Sequence, residues 1–455
     1  MVASVLLVTL AFPMTAEAAH VQCGEVITRS GTTVTLDSDV GPCPTDGIII
    51  RANNVTLNLN GFDVFGDADP TTDNVGVRIE GNQNSVVDCA EPFSSVPPCA
   101  PGRQDSEVRE FNAGVAILGG ASNQVCRLTV RRNIGSPFGD FGDGIVVQNS
   151  NANAIANATV DLNGPFGGIT LLGDADANKV GRPIRTDADG ASLRTSCDGG
   201  NTVSNNNIPF GPINQDIGIR VEADAVEYPN SNDIQNNLVT GSGLDGVALF
   251  FRSRGYEGSS SNKVVSNTIE GNGFGVSVAR RGDGIRLNGA ARDREAGANN
   301  VLVEDNIVRN NAASGIAVNS QHTKVKHNVV SGNGFGNPPR FEPGDGIRIA
   351  NDRNVVTQDN TVTGNAGDGI SLRNAATANQ ITQNSVTGHV AGNGIRALVG
   401  SLDNHIVNNT ATGNGVVPAG YDLRDDNPNA DPAPPCETNL WQSNDELTKN
   451  QPCIN

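Results

Sequence analysis

The chain is poor in the residues that nucleic-acid-binding and transition-metal proteins use. Its 455 residues include 31 Lys and Arg against 49 Asp and Glu, and the net charge is −18. This balance argues against a nucleic-acid partner, because such binders carry basic patches. Five His, two Met and the absence of Cys-x-x-Cys or Cys-x-x-His spacings disfavour a zinc or copper centre. Only 4% of residues are aromatic.

Long hydrophobic runs are also missing, apart from one at the N-terminus. Residues 2–12 are apolar and are followed by Thr15-Ala-Glu-Ala18, an Ala-x-Ala site. The pattern predicts a signal peptide over residues 1–18, although no basic residue precedes His20. The alternative is a buried N-terminal strand. The run is too short to span a membrane, so we expect a secreted or periplasmic protein with no membrane span.

Eight cysteines suit an oxidising compartment. Their spacing predicts three disulfides that each close a short loop: Cys23–Cys43, Cys89–Cys99 and Cys436–Cys453. Cys126 and Cys197 remain, and they either bridge neighbouring structural repeats or stay free.

Two short motifs repeat along the C-terminal half of the chain. The pattern Asn-x-[Val/Ile/Ala]-x-[Gly/Asn] begins at Asn237, Asn267, Asn306, Asn328, Asn360, Asn384 and Asn409. A Gly-[Ile/Val]-x-aliphatic motif alternates with it, at Gly246, Gly284, Gly315, Gly346, Gly369 and Gly394. The bare spacing is short, with 22 positions from Asn306 to Asn328 and 24 from Asn360 to Asn384. Self-similarity at such a period indicates a stacked architecture.

The repeat has the length and composition of one coil of a β-solenoid. Segments such as Val301-Leu-Val-Glu304 alternate β-branched and polar residues between Gly and Asn turns, and no helical periodicity is present. The sequence therefore predicts an all-β solenoid of about a dozen coils, about 60 Å long at the strand spacing. Asn at the same place in every coil predicts an amide ladder along the stack.

Composition divides the chain into four parts. After the signal peptide, residues 19–44 are predicted to be an N-terminal cap, and residues 45–424 are predicted to be the coils. Residues 425–455 are Pro-rich and then contain the only Trp, Trp441. This segment is predicted to be a C-terminal cap, because the open end of a solenoid exposes strand edges that must be covered.

The Gly-Ile strand carries an outward column in which arginine alternates with a small residue. Its third positions are Arg220, Ala248, Arg286, Ala317, Arg348, Ser371 and Arg396. One explanation is that this spacing separates like charges on adjacent strands. The other is a basic stripe with a guanidinium about every 9.6 Å, which would bind alternate carboxylates of an acidic glycan. The two explanations are compatible.

An acidic column precedes the glycine of the same strand. It consists of Asp143, Asp245, Asp283, Asp345 and Asp368. Stacked carboxylates repel each other unless a cation bridges them, so Asp245, Asp283 and Asp345 are candidate calcium ligands. The alternative is that Asp-Gly is only a favoured turn. Ion pairing within a coil, between Asp283 and Arg286 or between Asp345 and Arg348, is a further possibility.

Insertions flank this strand on both sides. Residues 273–282 and 334–344 carry Arg281, Phe274 and Phe335, and residues 251–261 carry Arg252. Bare coils need no such loops, and long loops on one face of a solenoid commonly build its binding site. Growth of loops on an exposed rim without function is the alternative. We predict that Arg286, Arg348, Arg281, Arg252, Phe274 and Phe335 bind substrate.

These repeats resemble those of the right-handed parallel β-helices in the pectin-lyase-like superfamily. The form Asn-x-Val-x-Gly-Asn followed by Asp-Gly-Ile is closest to the NosD-like group of secreted proteins. The resemblance implies the fold but not an activity, because the superfamily includes lyases, hydrolases, epimerases and non-enzymes. Asp69-Pro70 is followed by Thr71-Thr72, so the epimerase motif Asp-Pro-His-Asp is missing, and no Gly-His-Gly is present.

The sequence favours a monomeric extracellular protein that binds or acts on polysaccharide, most plausibly an acidic one, along its Arg and Asp face. If it is an enzyme, a lyase fits best, with calcium acidifying the proton beside a uronate carboxyl. The alternative is a non-catalytic structural or adhesive rod. No His or Lys completes an acid–base set in the coils at residues 283–286 and 345–348, so the sequence predicts no catalytic residue.

Overall fold

The computed structural model of the chain describes residues 18–89, 105–136, 138–181, 185–186, 192–193, 201–204, 217–223, 229–250, 261–274, 282–288, 300–336, 344–350, 355–389, 391–415, 420–428, 436 and 438–454. These residues form three long parallel β-sheets and include no helix. We call them sheet A, with 15 strands, and sheets B and C, with 14 strands each. The described residues contain no helix that would cross a membrane.

Most strands are three to six residues long. Sheet A contains Ala18–Ala19, Thr33–Leu36, Thr56–Asn58, Ser85–Val87, Gln124–Cys126, Ala154–Ala156, Lys179–Val180, Asp233–Gln235, Lys263–Val265, Leu302–Glu304, Lys324–Lys326, Val356–Gln358, Gln380–Thr382, His405–Val407 and Leu440–Gln442. Sheet B contains Glu25–Ile27, Ile48–Ile50, Val75–Ile79, Ala113–Leu118, Asp143–Gln148, Gly167–Leu172, Ile217–Glu222, Val247–Phe250, Ile285–Asn288, Ile316–Asn319, Ile347–Ala350, Ile370–Arg373, Ile395–Ala397 and Leu423–Asp425. Sheet C contains Val40–Cys43, Val64–Gly66, Glu107–Arg109, Thr129–Arg131, Thr159–Asp161, Thr202–Ser204, Leu238–Thr240, Thr268–Glu270, Ile307–Arg309, Val329–Ser331, Thr361–Thr363, Ser385–Thr387, Thr410–Thr412 and Asp445–Glu446. Arg185–Thr186 and Ser192–Leu193 pair separately as a small antiparallel sheet.

Successive strands belong to sheets B, A and C in turn, so one strand of each sheet makes one coil. Within the three long sheets, strands pair in parallel with the equivalent strands of the neighbouring coils. Parallel strands joined by crossovers are right-handed in nearly all proteins, and the fold is the predicted right-handed parallel β-helix. Each coil has one strand of sheet B, so the 14 strands of this sheet correspond to 14 coils. They span about 60 Å at the strand spacing, close to the predicted rod.

The core is a stack of β-branched and aliphatic side chains inside the coil. Ile285 and Leu287 from sheet B face Val303 from sheet A and Val308 from sheet C, and all four are fully buried. Each such side chain stabilises the fold by about 1.5–3 kcal/mol relative to exposure. Gly284 lies against this core, and a Cβ there would be 2.3 Å from Val308 Cγ1. The glycine of the Gly-Ile motif is therefore required by close packing.

The predicted asparagine ladder is confirmed at all seven positions. Each Nδ2 donates to the Oδ1 of the next rung at 2.9–3.0 Å, from Asn237 to Asn409. The ladder extends further, to Asn201 at one end and Asn444 at the other. Asn409 is thus an inner rung and not the last one.

Two more ladders run along the other corners of the coil. One includes the rungs Asn272, Asn311, Asn333 and Asn365, joined at 2.9 Å. His389 takes the next place in it, and its Nδ1 accepts from the Asn365 backbone N–H at 3.2 Å. Burial lowers the pKa of His389, which suits a neutral ring in an amide ladder. The other ladder includes Asn153, Asn178, Asn232, Asn262, Asn379, Asn404 and Asn439.

Disulfides staple both ends of the rod. Cys23–Cys43 and Cys436–Cys453 form as predicted. Cys89 and Cys126 are also disulfide-bonded. Cys99, the predicted partner of Cys89, lies outside the described residues, as does Cys197.

Strands of the β-helix lie within both segments predicted as caps. Glu25–Ile27, Thr33–Leu36 and Val40–Cys43 form the first coil. At the other end Trp441 is buried and its Nε1 donates to Asp425 Oδ2 at 2.9 Å. Its strand pairs with His405–Val407. The coils thus begin before residue 45 and continue beyond residue 424.

Candidate functional site

The outward arginine column has the register that the sequence predicts. Cα partners on neighbouring strands of sheet B follow the order Arg220, Ala248, Arg286, Ala317, Arg348, Ser371 and Arg396. The column then continues to Arg424, directly beside Arg396. These two like charges share Asp426, which accepts from Arg396 Nε at 2.8 Å and from Arg424 Nε at 2.6 Å.

The side chains of the acidic column are buried and link consecutive coils of the stack. Asp143, Asp245, Asp283, Asp345 and Asp368 are all at most 3% exposed. One oxygen of each carboxylate from Asp245 onward accepts a backbone N–H of the next coil, at 2.7–3.0 Å. The side chains therefore tie consecutive turns together, as an Asp at a turn can do.

The arginines pair with carboxylates of earlier coils. Arg286 Nη1 lies 3.6 Å from Asp245 Oδ2, one coil back. Arg348 Nη2 lies 3.6 Å from Asp283 Oδ2, two coils back. The coil between them presents only Ala317 to the column, so the long Arg348 side chain has room to lie over it. The alternation of arginine with small residues thus provides space for an ion pair that crosses a coil.

Asp345 pairs less closely with Arg348 of its own coil than with an arginine of the next coil. The positive charge of Arg348 acts on Asp345 of its own coil and opposes the rise in the pKa of Asp345. The closest arginine to Asp345 is instead Arg373, whose Nη2 lies 2.9 Å from Asp345 Oδ2. Ser371 Oγ donates to the same Asp345 oxygen at 2.6 Å.

Arg373 is a member of this site that the sequence reading missed. It follows Ser371 by two positions and therefore lies on the same face of its strand. Its Nη2 also lies 3.7 Å from Asp368 Oδ2. Burial and the nearby carboxylate of Asp368 raise the pKa of Asp345 to about 7, while burial and Arg396 lower the pKa of Arg373 to about 10. Arg373 could have been found by considering the outward position two residues after Ser371 as well.

A second buried charge cluster lies further toward the N-terminus on sheet B. Arg220 pairs with Glu222 and stacks over the Phe166 ring at 5.4 Å. Thr170 Oγ1 donates to Asp143 Oδ1 at 2.6 Å. Burial raises the pKa of Asp143 in spite of the nearby Arg220 charge. These side chains are nearly inaccessible, so this cluster stabilises the stack more readily than it contacts a ligand.

The geometry offers little to a metal ion in the described part of the chain. No group of three or more His, Cys, Asp or Glu side chains is arranged to hold one there. Asp245 and Asp283 each use one oxygen for a backbone N–H, and their other oxygens face arginines. Calcium binding at Asp245, Asp283 and Asp345 stays a prediction.

Two exposed phenylalanines lie at the corner where sheet C leads into sheet B. Phe274 is 54% exposed and Phe335 is 62% exposed. Each follows a ladder rung, Asn272 or Asn333, by two residues. The remaining parts of both insertions, including Arg281, lie outside the described residues, and so does Arg252. Phe274 and Phe335 thus lie in the turns that precede sheet B, and Arg286 and Arg348 lie on the sheet B strands that follow.

A family model described as NosD, a periplasmic copper-binding protein, matches residues 258–422. No curated protein matches the chain. Similar solved structures include the Dettilon tailspike protein, at 16% identity over 79% of this chain with a TM-score of 0.48. This chain covers 57% of that tailspike.

Two further similar structures cover more of their own length. PfbA, a surface adhesin of Streptococcus pneumoniae, has 12% identity over 82% of this chain and 84% of its own, with a TM-score of 0.44. The A-module of the mannuronan C-5 epimerase AlgE4 of Azotobacter vinelandii has 12% identity over 87% and 90%, with a TM-score of 0.38. The coil architecture makes the described residues a right-handed parallel β-helix, and the NosD model matches the part of it between residues 258 and 422.

Proposed function

We propose that the protein binds an acidic extracellular polysaccharide along sheet B, at the corner that carries the exposed phenylalanines. The observation that supports this most is that two coils each carry an exposed phenylalanine before the sheet B strand and an outward arginine on that strand, Phe274 and Arg286 in one coil and Phe335 and Arg348 in the other. Aromatic faces with a few placed polar groups are the usual lining of small-molecule sites. A pyranose ring offers an apolar face to the aromatic and a carboxylate to the arginine.

Arg348 keeps donors for a ligand although it is paired, whereas the Arg286 side chain is only 13% exposed. A guanidinium has five N–H donors in a fixed fork, and the contact of Arg348 with Asp283 involves Nη2 at 3.6 Å. The Arg348 side chain remains 33% exposed. Because the stripe is balanced by buried carboxylates on a chain of charge −18, attraction of a polyanion rests on direct contacts and is short-ranged.

The proposal is for binding and contains no chemical step. The described carboxylates of the acidic column are at most 3% exposed, which is unfavourable for a base that must touch substrate. A secreted or periplasmic location fits the disulfides at both ends. A structural or adhesive rod without glycan affinity is the competing function.

Titration of the purified protein against polygalacturonate and alginate tests the proposal. We expect binding to at least one of them, and Phe335→Ala should weaken it about tenfold through the lost ring contact. Phe138→Ala is the matched control, because Phe138 is 85% exposed at the same corner but four coils from Phe274. Failure to bind any acidic glycan favours the rod.

The same titration with calcium and with a chelator tests the predicted cation. If calcium strengthens binding and chelation reverses the gain, a cation bridges ligand carboxylates to the acidic column. If the affinity is the same in both arms, the glycan contacts the arginines and rings directly.

A further inference from the structure

Exposed rings with an arginine in the same coil occur in two coils, and one coil lies between them. Asn272 donates to Asn311, and Asn311 donates to Asn333, each at 2.9 Å. Phe274 and Phe335 follow the first and third of these rungs, so they emerge from coils two apart. Two coils advance about 9.6 Å along the rod. Arg286 and Arg348 are separated by the same two coils.

Both phenylalanines leave the coil in an equivalent way. Gly273 and Gly334 precede them and have φ values of 86° and 90°. A Cβ at Gly273 would lie 2.3 Å from Gly282 Cα, and one at Gly334 would lie 2.4 Å from Gly344 O. Backbone contact between glycines thus closes the base of each insertion. The two rings therefore start from matching positions in their coils.

The coil between them is bare at this corner. Ala312 and Ala313 donate to Asn272 O and Gly282 O, both at 2.9 Å, and the chain passes straight into Ser314 without an insertion. Ala317 takes the place of the arginine there and is fully buried. A ligand that lies along the corner therefore contacts Phe and Arg side chains in the first coil, neither of them in the second coil, and Phe and Arg side chains again in the third.

We infer that the ligand at this corner is an extended (1→4)-linked uronan that runs parallel to the rod axis, and that the protein contacts every second sugar. One sugar of such a chain advances about as far as one coil, and successive sugars of an extended chain turn opposite edges to the protein. Every second sugar then stacks on a phenylalanine and directs its carboxylate to the arginine of that coil. This inference rests on the proposed function. It adds the two-coil register, which makes a trisaccharide the shortest ligand that contacts both rings.

Calorimetric titration with a length series of oligouronates tests the register. We expect the affinity to rise about tenfold from the disaccharide to the trisaccharide, because only the longer ligand reaches both rings. Phe335→Ala and, separately, Phe274→Ala should abolish this rise, because each variant leaves only one ring for the ligand to reach. Phe138→Ala should keep the rise, because it lies about 19 Å from Phe274 along the stack.

The outcomes separate this inference from the proposed function. An affinity that grows smoothly with each sugar, or a rise that survives in both Phe335→Ala and Phe274→Ala, overturns the two-coil register while binding of acidic glycan stands. Absence of binding at every length overturns both. Circular dichroism of each variant confirms that the exposed substitutions leave the β-helix folded.

Discussion

Replacing Arg286 by methionine tests whether the buried acidic column depends on cations from later coils. Asp245 is fully buried, and Arg286 Nη1 lies 3.6 Å from its Oδ2. The Oδ1 atom still accepts from the Gly282 and Asp283 amides at 2.9 Å in the variant. The variant keeps the apolar stem and removes the charge. Breaking a buried pair from one side costs about 3–5 kcal/mol, so we expect a loss of that size in the free energy of unfolding at neutral pH.

The loss should depend on pH with a definite sign. Burial raises the pKa of Asp245, and the Arg286 charge opposes that rise. Without the guanidinium the folded-state pKa moves further above that of the unfolded chain. A raised pKa stabilises the fold at low pH, and this stabilisation is lost as the pH rises through the folded-state value. The difference between variant and wild type should therefore shrink as the pH is lowered from neutral.

Urea denaturation followed by circular dichroism measures these free energies, and two further variants make the result decisive. Asp245→Asn with Arg286→Met should return most of the loss, because no buried charge remains. An amide is already accommodated in this column at Asn393, which donates to Asp368 at 2.7 Å. Arg309→Met breaks an exposed pair with Glu270 and should cost about 0–1 kcal/mol. A loss in Arg286→Met no greater than in Arg309→Met, or no rescue in the double variant, would refute the reasoning.

Three other predictions concern the stack itself. Asn328→Ala should lower the free energy of unfolding by about 1–3 kcal/mol because its amide is bonded on both sides; Asn444→Ala, at the ladder end, should lose less, and thermal unfolding compares them. Gly284→Ala should destabilise by about 1–3 kcal/mol, since its Cβ would lie 2.3 Å from Val308 Cγ1; an unchanged melting temperature contradicts this. Burial raises the pKa of Asp345 to about 7, so stability should fall as the pH rises through that value, and Asp345→Asn should remove the dependence when melting temperatures are compared across this range.

The fold could be predicted from the repeat, because each coil has the same pattern of short strands and turns. The asparagines from Asn237 to Asn409 and the Gly-Ile strands gave both the period and the inward and outward positions. A strand has only two faces, so a correct period places every outward side chain. About a dozen coils were predicted, and sheet B has 14 strands among the described residues.

The ion-pair partners were not predictable in the same way. Sequence spacing suggested Asp283 with Arg286, three positions apart, whereas Arg348 reaches Asp283 from two coils later. That partner depends on the length of the arginine side chain and on the small residue it crosses, and neither appears as a local motif. Arg373 was missed for a related reason, because it lies beyond the four-residue motif.

The buried carboxylates and the outward arginines together explain how a protein of charge −18 can offer an ordered set of cationic groups. Arg286 and Arg348 are each held by a carboxylate that is itself bonded to the backbone of the next coil, and Arg348 lies across a small residue. Side chains fixed in this way lose less conformational freedom when a ligand binds. The distance between guanidinium groups is then set by the coil rise and not by side-chain mobility. A rigid two-coil spacing is what a polymer with a two-residue repeat requires, and a mobile basic surface would not provide it.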